Sequence, residues 1–203
     1  MPKVEEEVSY FHNSSDLCSV LNSGLSLALQ LSGTDLGNVQ LMDWKTGSLT
    51  IAAQRGFNDD FLSFFRLVTA ACGSACGRAI RERCSIVIED VLLDREFASY
   101  RTISLKAGFC AVQSTPLISS SGAFLGVVST HFPAAHRPSE VEMQALEVAG
   151  ELTANAIICQ RARARIGDRH SDEKVVEDRI ASTLAAVQRS HELLRRIDRR
   201  LKH

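Results

Sequence analysis

Behind Asn13-Ser14-Ser15-Asp16, a run of helix-capping residues, Leu17, Val20, Leu21, Leu25, Ala28 and Leu31 recur every three or four positions. They form the apolar face of a predicted helix that ends at Ser32-Gly33-Thr34. The rhythm then shortens to two. Val39, Leu41 and, after Asp43, Trp44 mark a half-buried strand, Lys45-Thr46-Gly47-Ser48 a hairpin turn, and Leu49-Thr50-Ile51-Ala52-Ala53-Gln54 the return strand, stopped by Arg55-Gly56-Phe57. Asn58-Asp59-Asp60 caps a predicted short helix through Phe61, Leu62, Phe64, Phe65 and Val68, and a second runs from Ser74 to Arg83. Three apolar runs follow: Cys84–Ile88, Phe109–Ile118 and Phe124–Phe132. An irregular crossover that ends at Gly108 separates the first two, and Ser119-Ser120-Ser121-Gly122 joins the last two as a hairpin. Strands at this spacing, interrupted by helices, predict an α+β domain with a mainly antiparallel sheet.

The remainder reads as helix. Ser139 is placed to cap, and Glu142 to bond back to it, as in a capping box. Met143, Leu146, Ala149, Leu152, Ala156 and Ile157 carry the stripe onward, and Arg161, Arg163 and Arg165 suit the negative end of the helix dipole. A break at Gly167–Ser171 precedes a last predicted helix in which Ile180, Val187, Leu194 and Leu201 recur every seven residues. That rhythm marks a helix packed lengthwise on another, either in a dimeric bundle, which the pattern favours, or back on the Ser139–Arg165 helix. The organisation is thus a lead-in (1–12), a domain (13–165) and a helical extension (166–203).

Composition narrows the function classes. A chain of 203 residues, 45% hydrophobic and 23% charged, is long enough for one well-packed domain plus an appendage. A formal net charge of -1 supplies no global field for nucleic acid or an anionic membrane. No apolar run approaches a membrane span, and the acidic start Met1–Glu7 lacks the layout of a signal peptide. Cys18, Cys84, Cys110 and Cys159 fall in apolar runs, as buried reduced thiols do, so a cytoplasmic location is expected. Cys72-x3-Cys76, with Cys84 beyond, lacks the paired spacing of a zinc site, so no metal is expected. No phosphate loop, nucleophile elbow or acid pair is evident; no catalytic residue is singled out. The basic Arg195–Lys202 segment reads as a solvated helix face.

From Asp16 to Ala162 the chain resembles a GAF domain, the small-ligand and signalling module of bacterial sensor proteins, most closely those linked to histidine kinases. The resemblance rests on Leu49–Phe57, Gly73–Ala79, Val87–Val91, Phe97–Arg101, Gly108–Leu117 and Gly126–Phe132, taken in that order and spacing. It implies a central antiparallel sheet of about six strands with helices on both faces, a pocket beneath the crossover, and terminal helices that pair into a dimer. Carried over residue by residue, the pocket wall is Phe109, Cys110 and Ala111 on the sheet, with Phe97, Tyr100 and Arg101 on the crossover. Cys76 and Arg78 lie on the helix above, and Asp90 at the rim. Arg101 is suited to an anionic group and Tyr100 to stacking; in the competing reading Arg101 pairs with Asp90 or Glu96 and the aromatics are core.

The expected function is therefore sensory: a small molecule or partner biases the pocket, and the terminal helices of a homodimer pass the bias on. The ligand, and any cofactor, is unknown from sequence. The output acts on a signalling partner in trans, or the chain is a fragment of a longer kinase. Two alternatives stay open. One is a thiol enzyme resembling free-methionine-sulfoxide reductases, using Cys76 or Cys110; the other is a ligand-free scaffold. Ser190-His191-Glu192-Leu193 resembles the start of a kinase phosphoacceptor box, but Leu194-Arg195-Arg196-Ile197 departs from it, so His191 reads as a helix-face residue. His131 reads as a strand residue rather than a haem ligand, and the Cys-His pair of bilin-binding relatives is missing.

Overall fold

The computed structural model describes residues 15–167. Helix α1 (Ser15–Ser32) leads into the hairpin β1 (Leu36–Asp43) and β2 (Ser48–Arg55), then α2 (Asp59–Phe64), β3 (Val68–Thr69), α3 (Ala75–Glu82) and β4 (Ile86–Ile88). A 3-10 turn (Glu96–Tyr100) and α4 (Arg101–Lys106) cross over to the hairpin β5 (Ala111–Ile118) and β6 (Phe124–Phe132), and α5 (Glu140–Gly167) closes the chain. The six strands form one sheet in the order β3-β2-β1-β6-β5-β4, and every described pairing is antiparallel.

Each face of the sheet buries its own core. Against α1 and α5, Leu17, Leu21, Leu25, Leu146, Ala154 and Ile157 pack on Val39, Leu41, Leu117 and Val128. Here the 3.6-residue stripes of two helices meet the alternate positions of the strands. The other face carries α2, α3, the 3-10 turn and α4, whose Phe61, Phe65, Ala79 and Phe97 pack with Met42, Leu49, Ile88, Val112 and Val127.

Two bulges adjust the alternation. β1 steps from Val39↔Ala53 to Gln40↔Ile51, leaving Ala52 as the extra residue, and β5 steps from Leu117↔Gly126 to Ile118↔Phe124, leaving Leu125. Ile51 and Ala53, two apart in sequence, therefore serve opposite cores.

The structure departs from the sequence reading in several places. Val68 does not extend α2, which ends at Phe64; it pairs with Leu49 as an edge strand. Cys84 lies outside β4 and is exposed, and Cys18, Cys110 and Cys159 are only half-buried, because each sits where an element meets solvent; Cys76 alone is buried. Among the described residues no cysteine is joined in a disulfide. Trp44, placed in a strand by its spacing, lies one residue past β1 and is 65% exposed. The Ser139 hydroxyl does accept from the Glu142 N–H at 3.2 Å, but the Glu142 carboxylate turns to His136 Nε2 at 2.9 Å. The lead-in, the break after Gly167, the seven-residue helix and His191 lie outside the described residues.

Candidate functional site

On the face beneath α2 and α3 the three central strands present polar side chains. Asn38 and Gln40 come from β1, Ser114 from β5, and Ser129 and His131 from β6; all are 4% exposed or less. Adjacent strands bring them together: Asn38 pairs in register with Ser129, and Ser129 with Ser114. Above them sit Phe61 and Phe65 of the α2 segment, Ser74-Ala75-Cys76 at the start of α3, Phe97 of the crossover, and Phe109 before β5. Between the two layers is an enclosed cavity of about 20 Å³. That volume suits one water-sized group.

The polar stripe is only partly satisfied within the chain. The Ser114 and Ser129 hydroxyls share a hydrogen bond of 2.7 Å. Asn38 Oδ1, Gln40 Nε2 and His131 Nδ1 have no protein partner although fully enclosed. Each such group costs about 1–3 kcal/mol of folding stability unless something bonds to it. The opposite face fills Val39, Leu41 and Leu117 with apolar side chains, although Gln113 and Thr130, by alternation on that face, also each leave an enclosed polar atom unpartnered.

The cavity is also uncharged. Burial drives the His131 imidazole down from its ordinary value to about 3, with a hydrogen bond to the Leu36 backbone opposing weakly. The ring is therefore neutral at pH 7, held among Phe57, Phe61 and Phe109 at centroid distances of 4.9, 5.9 and 4.6 Å. Burial likewise pushes the Cys76 thiol up to about 11, against a counteracting contact with the Ser74 hydroxyl at 3.4 Å. Cys76 is a thiol, not a thiolate, at neutral pH. Reactive cysteines have the opposite displacement.

Of the nine residues expected at the site, Cys76, Phe97 and Phe109 line the cavity. Tyr100 stacks on Phe65 with centroids 5.8 Å apart, and so backs the lid; burial raises its hydroxyl pKa. Arg101 follows neither expectation: its Nε and Nη2 donate to the carbonyls of Val91 (3.0 Å) and Asp94 (2.9 Å), tying the crossover together. Glu96 pairs instead with Arg81 at 3.2 Å. Arg78 is held by Asp94 at 2.8 Å, and Asp94 also accepts from the Phe97 N–H at 2.9 Å, which fixes Phe97 over the cavity. Asp90 accepts from the Leu92 N–H at the turn after β4. Cys110 is half-buried, and Ala111 takes the alternate strand position to the lining residue Val112.

Asn38, Gln40, Ser114 and Ser129 belong to no motif that singles them out in the sequence, and His131 there reads as a strand residue. The signal was available in the alternation of β1, Asn38-Val39-Gln40-Leu41, which resembles that of a strand with one face in water. A larger groove, about 570 Å³, lies beside β2 between Asn22, Ile51, Leu62 and Arg66. It is open to solvent and none of the enclosed, unpartnered polar atoms lines it. Among the described residues, no group of three or more His, Cys, Asp or Glu side chains is placed to hold a metal ion.

The architecture is thus a six-stranded antiparallel sheet with a helix pair on one face and a roofed cavity on the other. The model for the GAF domain matches residues 14–158, and the chain belongs to that family. No curated protein matches it. Among solved structures it is similar to a domain of a putative two-component sensor histidine kinase protein from Sinorhizobium meliloti, at TM-score 0.59 and 18% identity over 78% of this chain and 99% of that one. The GAF domain of a phosphoenolpyruvate-protein phosphotransferase from Coxiella burnetii gives TM-score 0.61 and 16% identity over 79% and 94%. Free methionine-R-sulfoxide reductase from Neisseria meningitidis, in complex with its substrate, gives 0.59 and 15% over 76% and 86%. At these identities the likenesses establish the fold alone.

Proposed function

We propose that this GAF domain is a cytoplasmic, ligand-responsive sensor that works as a homodimer and acts on a signalling partner through its terminal helices. One observation carries the reading: three enclosed polar atoms, on Asn38, Gln40 and His131, face a roofed cavity without protein partners. An occupant that bonds to them recovers stability the chain alone forgoes, which is the linkage a sensor needs. The sensor-kinase domain among the similar structures favours the same reading. Among the described residues no helix is long and apolar enough to cross a membrane. The burial of Cys76, which keeps it a thiol, disfavours that residue as the nucleophile of the thiol-enzyme alternative.

Native mass spectrometry of freshly purified full-length protein, with its absorption spectrum, tests the reading. A dimer that carries a co-purified mass, lost in an Asn38→Leu variant, is the expected result. A protein without added mass, undisturbed by any compound in a thermal-shift library, reduces the cavity to a packing fault; a monomer removes the dimer from the proposal.

A further inference from the structure

We propose that the occupant is a small uncharged molecule of the lactam or cyclic-urea class, with a hydrogen-bond donor and an acceptor on one edge and a flat body beneath the phenylalanines, and that ionic compounds are excluded. This rests on the sensory reading above and assigns its ligand class.

The polar atoms specify the edge. Asn38 Oδ1 is an unpartnered acceptor and Gln40 Nε2 an unpartnered donor, and the enclosed His131 Nδ1 takes either role according to the ring tautomer. A cyclic amide meets this set with its N–H and its carbonyl.

The surroundings exclude charge. No Asp, Glu, Lys or Arg lines the cavity. Neither nearby guanidinium lines the cavity: Arg78 Nη1 is held by Asp94 while its Nε is unpartnered, and Arg101 bonds two backbone carbonyls. An ion would shed its hydration and meet neutral amides, an imidazole and a thiol, none of which balances it. Phe61, Phe97 and Phe109 offer ring faces and edges to a flat body instead.

Entry requires the roof to move, because the closed cavity admits a single small group. The roof is held by its buried phenylalanines more than by backbone bonds. α2 has six residues, and the strand after it joins the sheet by only two residue pairs, Ser48↔Thr69 and Leu49↔Val68.

The test is calorimetry and thermal shift on the full chain with 2-pyridone and uracil against their charged counterparts picolinate and orotate. The expected result is dose-dependent stabilisation by a neutral probe, at least tenfold weaker binding in Asn38→Leu and in His131→Phe, and no response to either anion. Both variants are expected to melt higher than the parent without probe, since each removes an unpartnered polar atom, so loss of binding is not loss of fold. Tighter binding of an anion, abolished by Asn38→Leu, overturns the ligand class and leaves the sensory reading standing. Neutral binding that survives both substitutions, or no response to any probe, overturns the class as well; the sensory reading is then judged on the co-purified mass.

Discussion

The His131 imidazole meets the Phe109 ring at 4.6 Å between centroids and 73° between planes, an edge-to-face contact under the roof of the cavity. Such contact with apolar rings is what keeps the imidazole neutral, at a pKa of about 3. In the unfolded chain the same group titrates at the ordinary histidine value. Between the two values the unfolded state binds a proton that the folded state does not. Stability is therefore complete above the unfolded value and falls as the pH drops from there toward 3, by up to about 1.4 kcal/mol per pH unit. Urea denaturation at stepped pH checks this, and His131→Phe is expected to remove that share of the slope.

Phe109 touches Phe57, Phe61, Phe97 and His131, and is 1% exposed. Phe109→Ala is expected to cost about 3–5 kcal/mol, the usual range for deleting a buried ring. It also admits water to His131, so the imidazole pKa rises toward its ordinary value. Histidine resonances followed by NMR through a pH titration separate that effect from plain loss of packing.

Gly24 and Thr153 mark the crossing of α1 and α5. A Cβ at Gly24 would stand 2.6 Å from both Thr153 Cγ2 and Oγ1. Gly24→Ala therefore loses stability, on the order of 1–3 kcal/mol for overpacking, although alanine is the better helix former. Adding Thr153→Ala makes room and is expected to return most of the loss. Chemical denaturation of the two single variants and the double variant reads the coupling; strict additivity would refute the contact.

The cysteines separate by burial. Cys84 is exposed, while Cys76 is buried and its thiol held near 11. A thiol-reactive probe at neutral pH is expected to label Cys84 first and Cys76 only on unfolding. Mass mapping of early labelling products checks the order, and early modification of Cys76 would revive a catalytic role for it.

The outline of this fold was legible because its helices and central strands obey their periods. The stripe Leu17–Leu31 lies in α1, the run Phe124–Phe132 coincides with β6, and Ser74 caps α3 by accepting from the Gly77 N–H. The bulges at Ala52 and Leu125 were not legible, since an extra residue leaves composition and spacing unchanged while turning the following side chains over. The site was half legible. Aromatic roof residues stand out in any sequence, but the polar floor does not, because Asn38-Val39-Gln40-Leu41 has the same pattern whether its polar face meets water or a lid. Arg101 misled for a related reason: a guanidinium reads as a ligand clamp until the turn it braces is visible.

His131 lies five positions before His136. Strand β6 carries the first; the second stacks on Phe132 at 3.8 Å, bonds through its N–H to the Glu89 carbonyl, and grips Glu142 in the first turn of α5. Helix α5 has 28 residues and extends about 42 Å from that grip. Its buried Leu146, Ala154 and Ile157 seat it on the sheet face opposite the cavity, so β6 is shared: one side of the strand floors the cavity and the other beds the helix, and a shift of that strand is felt on both sides.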